Sequence, residues 1–456
     1  DRLASQGTRF EGSTVNNPIC TPSRASMMTG KELPGHGVYR LHDLLPRDEV
    51  MFPERLRRDA GYRTGLFGKL HVSGRAEEEN VRHPQDGFEE YEWCIEACIG
   101  MDSRFNGYVR WLRDKDPAFL ADLYRLGRKL KHHPAEVHFT RWAADRSIDF
   151  IRRHAHGDAP FFCMMSIFDP HNPYEGYPPE AAEFVHSDKI PRPFLKESMP
   201  QAAQREREGS YLGSDIDQAA IHKMRYGYGA AIGFLDREIG RVLAELDDLG
   251  IAEETLVIFT SDHGDSLGDH GMMVKGVALY DPVIKVPLIL RWPQHVPEGK
   301  VSTAMAQGHD LARTCLAAAG LSPERSGVFD TGIDWVAQAN DAAAGREFAV
   351  CAYRNSGINA QNKYWDPAMK STSVASRAHK LIAYTSGNLT EFEFFDLTSD
   401  PAEQHNRFAD PEKSTTVLRH MEVLSDWLQR EAGEAGSRGG ARAPDAHSLL
   451  NNALSA

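Results

Sequence analysis

Apolar positions along this chain fall into two patterns, short continuous runs and longer stretches recurring every three to four residues. Their alternation predicts strands interleaved with helices, the α/β class. Over residues 46–60, Val50, Leu56 and Ala60 interrupt a charged background and predict a surface helix. Residues 61–71 read as a turn, a short strand and then a polar pair, Lys69 and His71, at the strand's end. Residues 137–154 predict an amphipathic helix with Trp142, Ile148 and Ile151 inward. It leads into residues 160–168, the near-continuous apolar run of a strand buried on both faces. The clearest helix covers residues 221–249, where Ile232, Leu235, Ile239, Val242, Leu243 and Leu246 share one face and Gly250 ends the element. Strands follow at 255–260 and 286–291, a helix at 310–319, and at 346–353 the last strand of a large domain.

Beyond about residue 371 the pattern shortens to alternating strands at 373–384 and 391–397, a turn at Asp400-Pro401, and an amphipathic helix over 415–432. The expected organisation is a large α/β domain over residues 1–365 and a small antiparallel sheet plus helix over 366–432. The tail, 433–456, is rich in Gly, Ala and Arg and expected to be disordered. Two stretches have no clear period. Residues 86–135 hold a loop and an insertion with the basic run 128–133, and residues 177–217 are long and polar; a loop of that length usually shapes a functional entrance.

Composition narrows the function classes. Of 456 residues 41% are hydrophobic and 26% charged, ordinary for a soluble globular protein. The net charge of −13, with no basic block, argues against nucleic acid as a partner, and the longest apolar run is too short to cross a membrane. Six scattered cysteines do not form a disulfide framework, and Cys94 with Cys98 has no matching pair at zinc spacing, so the compartment stays open between cytoplasmic and exported.

Candidate chemistry concentrates at four places. Cys20-Thr21-Pro22-Ser23-Arg24 reads as a helix start, with Pro22 in the first turn and Arg24 one turn after Cys20. A guanidinium and a helix N-terminus together make an anion site, and they would also favour a thiolate at position 20. Lys69 and His71 end one strand, and Asp169-Pro170-His171 ends the next. Asp262-His263-Gly264 follows the strand at 255–260, the acidic, His- and Gly-rich loop expected of a metal site at the carboxyl edge of a sheet. Asp262 and His263 are the ligand choices, with Gly264 permitting a tight turn; Asp265, Asp269 and His270 are expected to support the loop.

Cys20-Thr21-Pro22-Ser23-Arg24 followed by Ala25-Ser26-Met27-Met28-Thr29-Gly30 resembles the signature of the type I sulfatases, within the alkaline phosphatase superfamily. Gly61-Tyr62-Arg63-Thr64, then Gly68-Lys69 and His71, resembles the second signature, with Phe67 and Leu70 departing from it, and Val274-Lys275-Gly276 extends the likeness. The resemblance implies a large mixed, mostly parallel sheet sandwiched by helices, with a small C-terminal antiparallel subdomain. It implies that Cys20 is oxidised to Cα-formylglycine by a formylglycine-generating or anaerobic sulfatase-maturating enzyme. The hydrated aldehyde would be the nucleophile on a small-molecule or saccharide sulfate ester. Asp262, His263 and the side chain at position 20 would hold a divalent metal, calcium by default, with manganese the alternative because His263 adds nitrogen to an oxygen site. Arg24, Lys69 and Lys275 would meet the sulfate oxygens, His171 would protonate the leaving alcohol with Lys275, and His71 would take the proton from the second diol oxygen.

The family's acidic pair and first, central strand lie N-terminal to every motif above, and no such pair precedes Cys20. Residues 1–7 read as the close of a helix already under way. A truncated enzyme with an incomplete divalent site and an unpaired sheet edge is therefore expected. The alternatives are a phosphonate monoester or phosphodiester hydrolase of the same superfamily, and an inactive binding relative.

Overall fold

The computed structural model describes residues 1–209, 217–322, 327, 329–356 and 364–437. Eleven strands among them make three sheets, and each strand end predicted to carry chemistry does sit at an end of a strand. Strands β1 (Thr8–Thr14), β2 (Arg63–Gly68), β3 (Glu90–Trp93), β4 (Phe161–Ser166), β5 (Val257–Thr260), β6 (Leu288–Arg291) and β7 (Lys300–Gln307) build the large α/β part. One sheet has the order β3-β2-β4 and is parallel throughout. The other has the order β5-β6-β1-β7, in which only β1 and β7 run parallel. Among the described residues the mixed, helix-flanked sheet expected from the sequence is laid out as two hydrogen-bonded blocks.

β4 pairs only with β2, and β5 only with β6, so each presents an outer edge. Both strands line one cavity of about 1090 Å³, together with Leu235, Ile239, Val242, Leu243 and Leu246 of the long helix Gln218–Asp248 and with Met27 and Met28 of the helix Cys20–Thr29. The apolar face read from the sequence on the long helix therefore looks into a cleft between two sheet edges, and the side chains of β4 and β5 are only half-buried for that reason.

Elsewhere packing is tight. Gly68, at φ 119°, ends β2 where an added Cβ would come within 1.9 Å of the carbonyl oxygen of Ser166, so a side chain there would push β2 off β4. The Cys20 helix closes on Gly30 in the left-handed region and packs against the helix Asp310–Ala318.

Four readings need correction. Residues 346–353 are not the last strand of the large sheet. Strand β8 (Ala349–Arg354) pairs antiparallel with β9 (Met369–Ala375), and with β10 (His379–Ser386) and β11 (Leu389–Asp396) it forms a separate antiparallel sheet. The stretch 373–384 is two strands around a turn. The final helix runs Ser414–Ser437, beyond the predicted start of the tail at 433; residues 438–456, and 210–216 of the long polar stretch, lie outside the described residues. That stretch also contains a helix, Gln201–Glu208, where the sequence pattern predicts loop.

Candidate active site

Four chain segments converge at one end of the two sheets. Cys20 is the first residue of its helix and is buried. Its Sγ lies 3.0 Å from Nε2 of His263, which follows β5. The Nδ1 of His263 is 2.8 Å from the Gly264 carbonyl oxygen, an acceptor only, so Nδ1 donates there and Nε2 faces the sulfur. His171, beyond β4, repeats the arrangement: Nδ1 is 2.8 Å from the Asn172 carbonyl oxygen, and Nε2 accepts from Lys275 Nζ at 2.5 Å.

Arg24 ties the two sheets together. Its Nε donates to Oδ2 of Asp262 at 2.6 Å on the β5 side, while Nη1 donates to the Lys69 carbonyl at 2.8 Å and Ser166 Oγ at 3.0 Å on the β2–β4 side. Lys69 Nζ stands 3.8 Å from the same Asp262 oxygen, and Ser23 Oγ donates to the Asp262 carbonyl at 2.6 Å. A buried guanidinium with a bidentate reach is suited to this role.

His71 has a backbone φ of 56°, an unusual conformation for its type. A carboxylate not foreseen from the sequence holds it. Glu78 is buried and accepts from the backbone N–H groups of His71 (2.9 Å), Val72 (2.7 Å) and Ser73 (3.1 Å), and from the Trp93 indole (3.0 Å). Thr21 Oγ1 donates to the Leu41 carbonyl at 2.9 Å, so His71 Nε2, 3.2 Å away, is the donor to Thr21. That leaves the buried Nδ1 of His71 without a partner, a lone pair held ready for a proton.

A second unforeseen carboxylate, Glu206, accepts from the backbone N–H groups of Val277 and Ala278 at 2.9 Å each and so fixes the turn that presents Lys275. Gly276 leaves room for it, because a Cβ there would lie 1.3 Å from Glu206 Oε1 and displace the carboxylate. No motif in the sequence marks Glu78 or Glu206, since both sit in charged runs that read as solvated surface.

The electrostatics are lopsided. Burial would push the Cys20 thiol up, yet Lys275, Lys69 and His263 outweigh it and hold the thiol well below its ordinary value. Burial likewise opposes the Asp262 carboxylate, and Arg24, His263 and Lys69 hold it far below the usual carboxylate range. Burial lowers His71, partly offset by its interaction with Cys20, and burial with Lys275 lowers His171, so both imidazoles favour the neutral form. Positive charge is in excess around the sulfur, at the N-terminus of a ten-residue helix. The arrangement can bind an anion and move protons beside it.

Every candidate from the sequence, Cys20, Arg24, Lys69, His71, His171, Asp262, His263 and Lys275, is connected by this network. Gly264 has a different reason from the one predicted: an added Cβ would meet the Pro282 carbonyl oxygen at 2.0 Å, so close backbone approach demands glycine there. Asp265 accepts from Tyr174 Oη (2.7 Å) and two backbone N–H groups, and Asp269 pairs with Arg225 (2.6 Å). His270 lies away from the cluster, with its ring centroid 4.1 Å from that of Tyr280.

The metal expectation meets a partial donor set. Asp262 and His263 can hold a divalent ion, but Oδ2 of Asp262 is taken by Arg24 and Lys69. Calcium takes six to eight oxygens, and the carboxylate among these cluster residues is that of Asp262 alone. These residues begin such a site and do not complete it.

Comparison with known proteins agrees with this geometry. The sulfatase family model matches residues 1–321, and the model of the N-sulphoglucosamine sulphohydrolase C-terminal region matches residues 268–430. An arylsulfatase of Clostridium perfringens is 27% identical over 338 residues, covering 71% of this chain and 69% of its own. The canine N-acetylgalactosamine-6-sulfatase is 29% identical over 360 residues; 73% of this chain is covered, and the match spans 59% of that relative's length. Among solved structures, a phosphonate monoester hydrolase from Silicibacter pomeroyi superposes with a TM-score of 0.77 at 20% identity, covering 94% of this chain and 90% of that one. A protein solved with its substrate D-glucosamine-2-N,6-O-disulfate superposes with a TM-score of 0.70 at 21% identity, covering 95% and 92%. At those identities the structures speak for the fold. With more than half of its length matched by the family model and its motif residues in one cluster, the chain belongs to the sulfatase family.

Proposed function

We propose that this chain hydrolyses a sulfate monoester, with a sulfated saccharide as the substrate class and with Cys20 converted to Cα-formylglycine by a maturating enzyme. The observation that carries the reading is the position of Cys20: first residue of a helix, buried, and reached by cations and imidazoles from the ends of β2, β4 and β5. The hydrated aldehyde supplies an oxygen nucleophile with a second hydroxyl, chemistry no unmodified side chain offers.

The chain's own residues do the rest. Lys69 and Lys275 receive the anionic oxygens at the helix N-terminus, where charge spreads in the transition state. Arg24, committed to Asp262 and to the Lys69 carbonyl, positions these groups more than it touches substrate. The Lys275–His171 pair shares a proton across 2.5 Å and delivers it to the departing alcohol. His71, with Nδ1 unpartnered and the ring kept neutral by burial, accepts the proton that regenerates the aldehyde. Asp262 and His263 supply ligands toward a divalent metal; calcium remains the default of the family reading, and no step here depends on it.

The test is twofold. The protein is co-expressed with a maturating enzyme, the mass of the peptide carrying position 20 is measured, and turnover of aryl sulfate and aryl phosphonate esters is compared. Conversion with faster sulfate cleavage is expected. A peptide that keeps its thiol, or faster phosphonate cleavage, overturns the reading.

A further inference from the structure

We propose that the chain with its thiol intact at position 20 is a site for a zinc-class divalent cation, held by Cys20 Sγ, His171 Nε2 and His263 Nε2. The three ligand atoms all lie within 4.8 Å of one another. Both imidazoles are oriented as metal-bound histidines are, with Nδ1–H donated to a backbone carbonyl at 2.8 Å and the Nε2 lone pair turned inward. The residues are carried by three separate strand or helix ends, so their convergence is set by the fold and not by a flexible loop closing on itself.

The distances suit a tetrahedral ion. With Zn–S near 2.3 Å and Zn–N near 2.0–2.1 Å, neighbouring ligands stand about 3.5 Å apart. Cys20 Sγ and His263 Nε2 are 3.0 Å apart and need open by only a fraction of an ångström. Lys275 must leave Nε2 of His171, which its flexible four-carbon stem permits. The fourth position falls to water or to Oδ1 of Asp262, 3.7 Å from His263 Nε2, whose negative charge with that of the sulfur counters the nearby ammonium groups. A set of one sulfur and two nitrogens selects zinc-like ions over calcium and magnesium.

The step is a substitution without redox change. The metal–sulfur bond forms as the S–H bond breaks, and the proton leaves to solvent. Occupancy and conversion are mutually exclusive, because both need the sulfur of Cys20. This inference does not rest on the hydrolase reading, since it concerns the chain before any aldehyde forms.

Full-length protein made without a maturating enzyme, its thiol verified by intact mass, would be titrated with Co²⁺ as the spectroscopic probe. One equivalent should raise a thiolate-to-cobalt charge-transfer band and the visible bands of tetrahedral cobalt, both abolished by added Zn²⁺. Cys20→Ser should remove the charge-transfer band, and His171→Gln or His263→Gln should weaken binding by about tenfold or more, with near-ultraviolet circular dichroism reporting the fold. The double variant Cys94→Ser, Cys98→Ser should leave the spectrum unchanged. A band that survives Cys20→Ser, one that vanishes in the Cys94/Cys98 variant, or no tetrahedral spectrum in the parent protein would overturn the proposal.

Discussion

Two buried charge clusters in this molecule use the same ingredients to opposite ends. At the interface with the C-terminal sheet, Lys196 pairs with Glu393 at 2.7 Å, and Lys380 pairs with Asp281 and Glu403 at 2.6 Å each. Tyr280 and Tyr384 donate to Glu393. Each cation there faces a carboxylate. Around Cys20 the cations outnumber their partners, and an apolar cleft leads away from the site. Balanced buried charge holds two parts of a fold together, whereas unbalanced buried charge waits for an anion.

Several measurements would break or sharpen that contrast. The largest effect belongs to Cys20→Ala, which should reduce sulfate-ester turnover to background while leaving thermal unfolding little changed; retained turnover would erase the distinction. In the balanced cluster, Lys380→Met leaves Asp281 and Glu403 facing each other and should cost about 3–5 kcal/mol of stability. Denaturant unfolding would read that loss, and turnover per folded molecule should hold. Lys275→Ala should reverse the pattern, with kcat falling about 10²–10³-fold at nearly unchanged stability. Glu78→Gln keeps the shape but weakens the grip on the 71–73 turn; a loss of about 1–2 kcal/mol and a change in the acid limb of the kcat/KM profile are expected. That limb should lie below the ordinary histidine value, because His71 acts as a base and burial lowers it.

The smallest effect is a pH dependence within the balanced cluster. Burial, then Lys196 and Lys380, lower His270 to about 4, so its contribution is present above pH 6.5 and lost as pH falls toward 4. Burial raises Glu403 to about 7 against the pull of Lys380, so its contribution is present below pH 4.5 and lost as pH rises toward 7. The two oppose each other over this range. Removing the titrating ring in His270→Phe, which keeps an aromatic beside Tyr280, should shift the stability optimum toward acid.

Much of the site was legible because its residues follow continuous apolar strands. The runs ending at Lys69, Ser166 and Thr260 announce themselves, and the next polar residues must stand at a sheet edge. Strands β1, β3 and β7 were not read, since Thr8–Thr14, Glu90–Trp93 and Lys300–Gln307 are polar or small-residue segments whose burial comes from neighbours distant in sequence. β8 is recognisable as a strand, expected as the last of the large domain, yet it pairs with β9 of the C-terminal sheet, because pairing partners are set by tertiary context. Glu78 and Glu206 left no trace: a carboxylate that caps backbone N–H groups looks, in sequence, like any surface acid.

The guanidinium of Arg24 reaches from Asp262, on the β5 block, to the Lys69 carbonyl and Ser166 on the β2–β4 block, across edges that share no ladder. Cohesion and catalysis thus occupy a single mechanical coordinate. A shift of β5 relative to β2 and β4 changes the spacing between Asp262 and Lys69, which Arg24 spans. A charge-neutral replacement of Arg24 would accordingly loosen the joint and blunt the chemistry in the same motion.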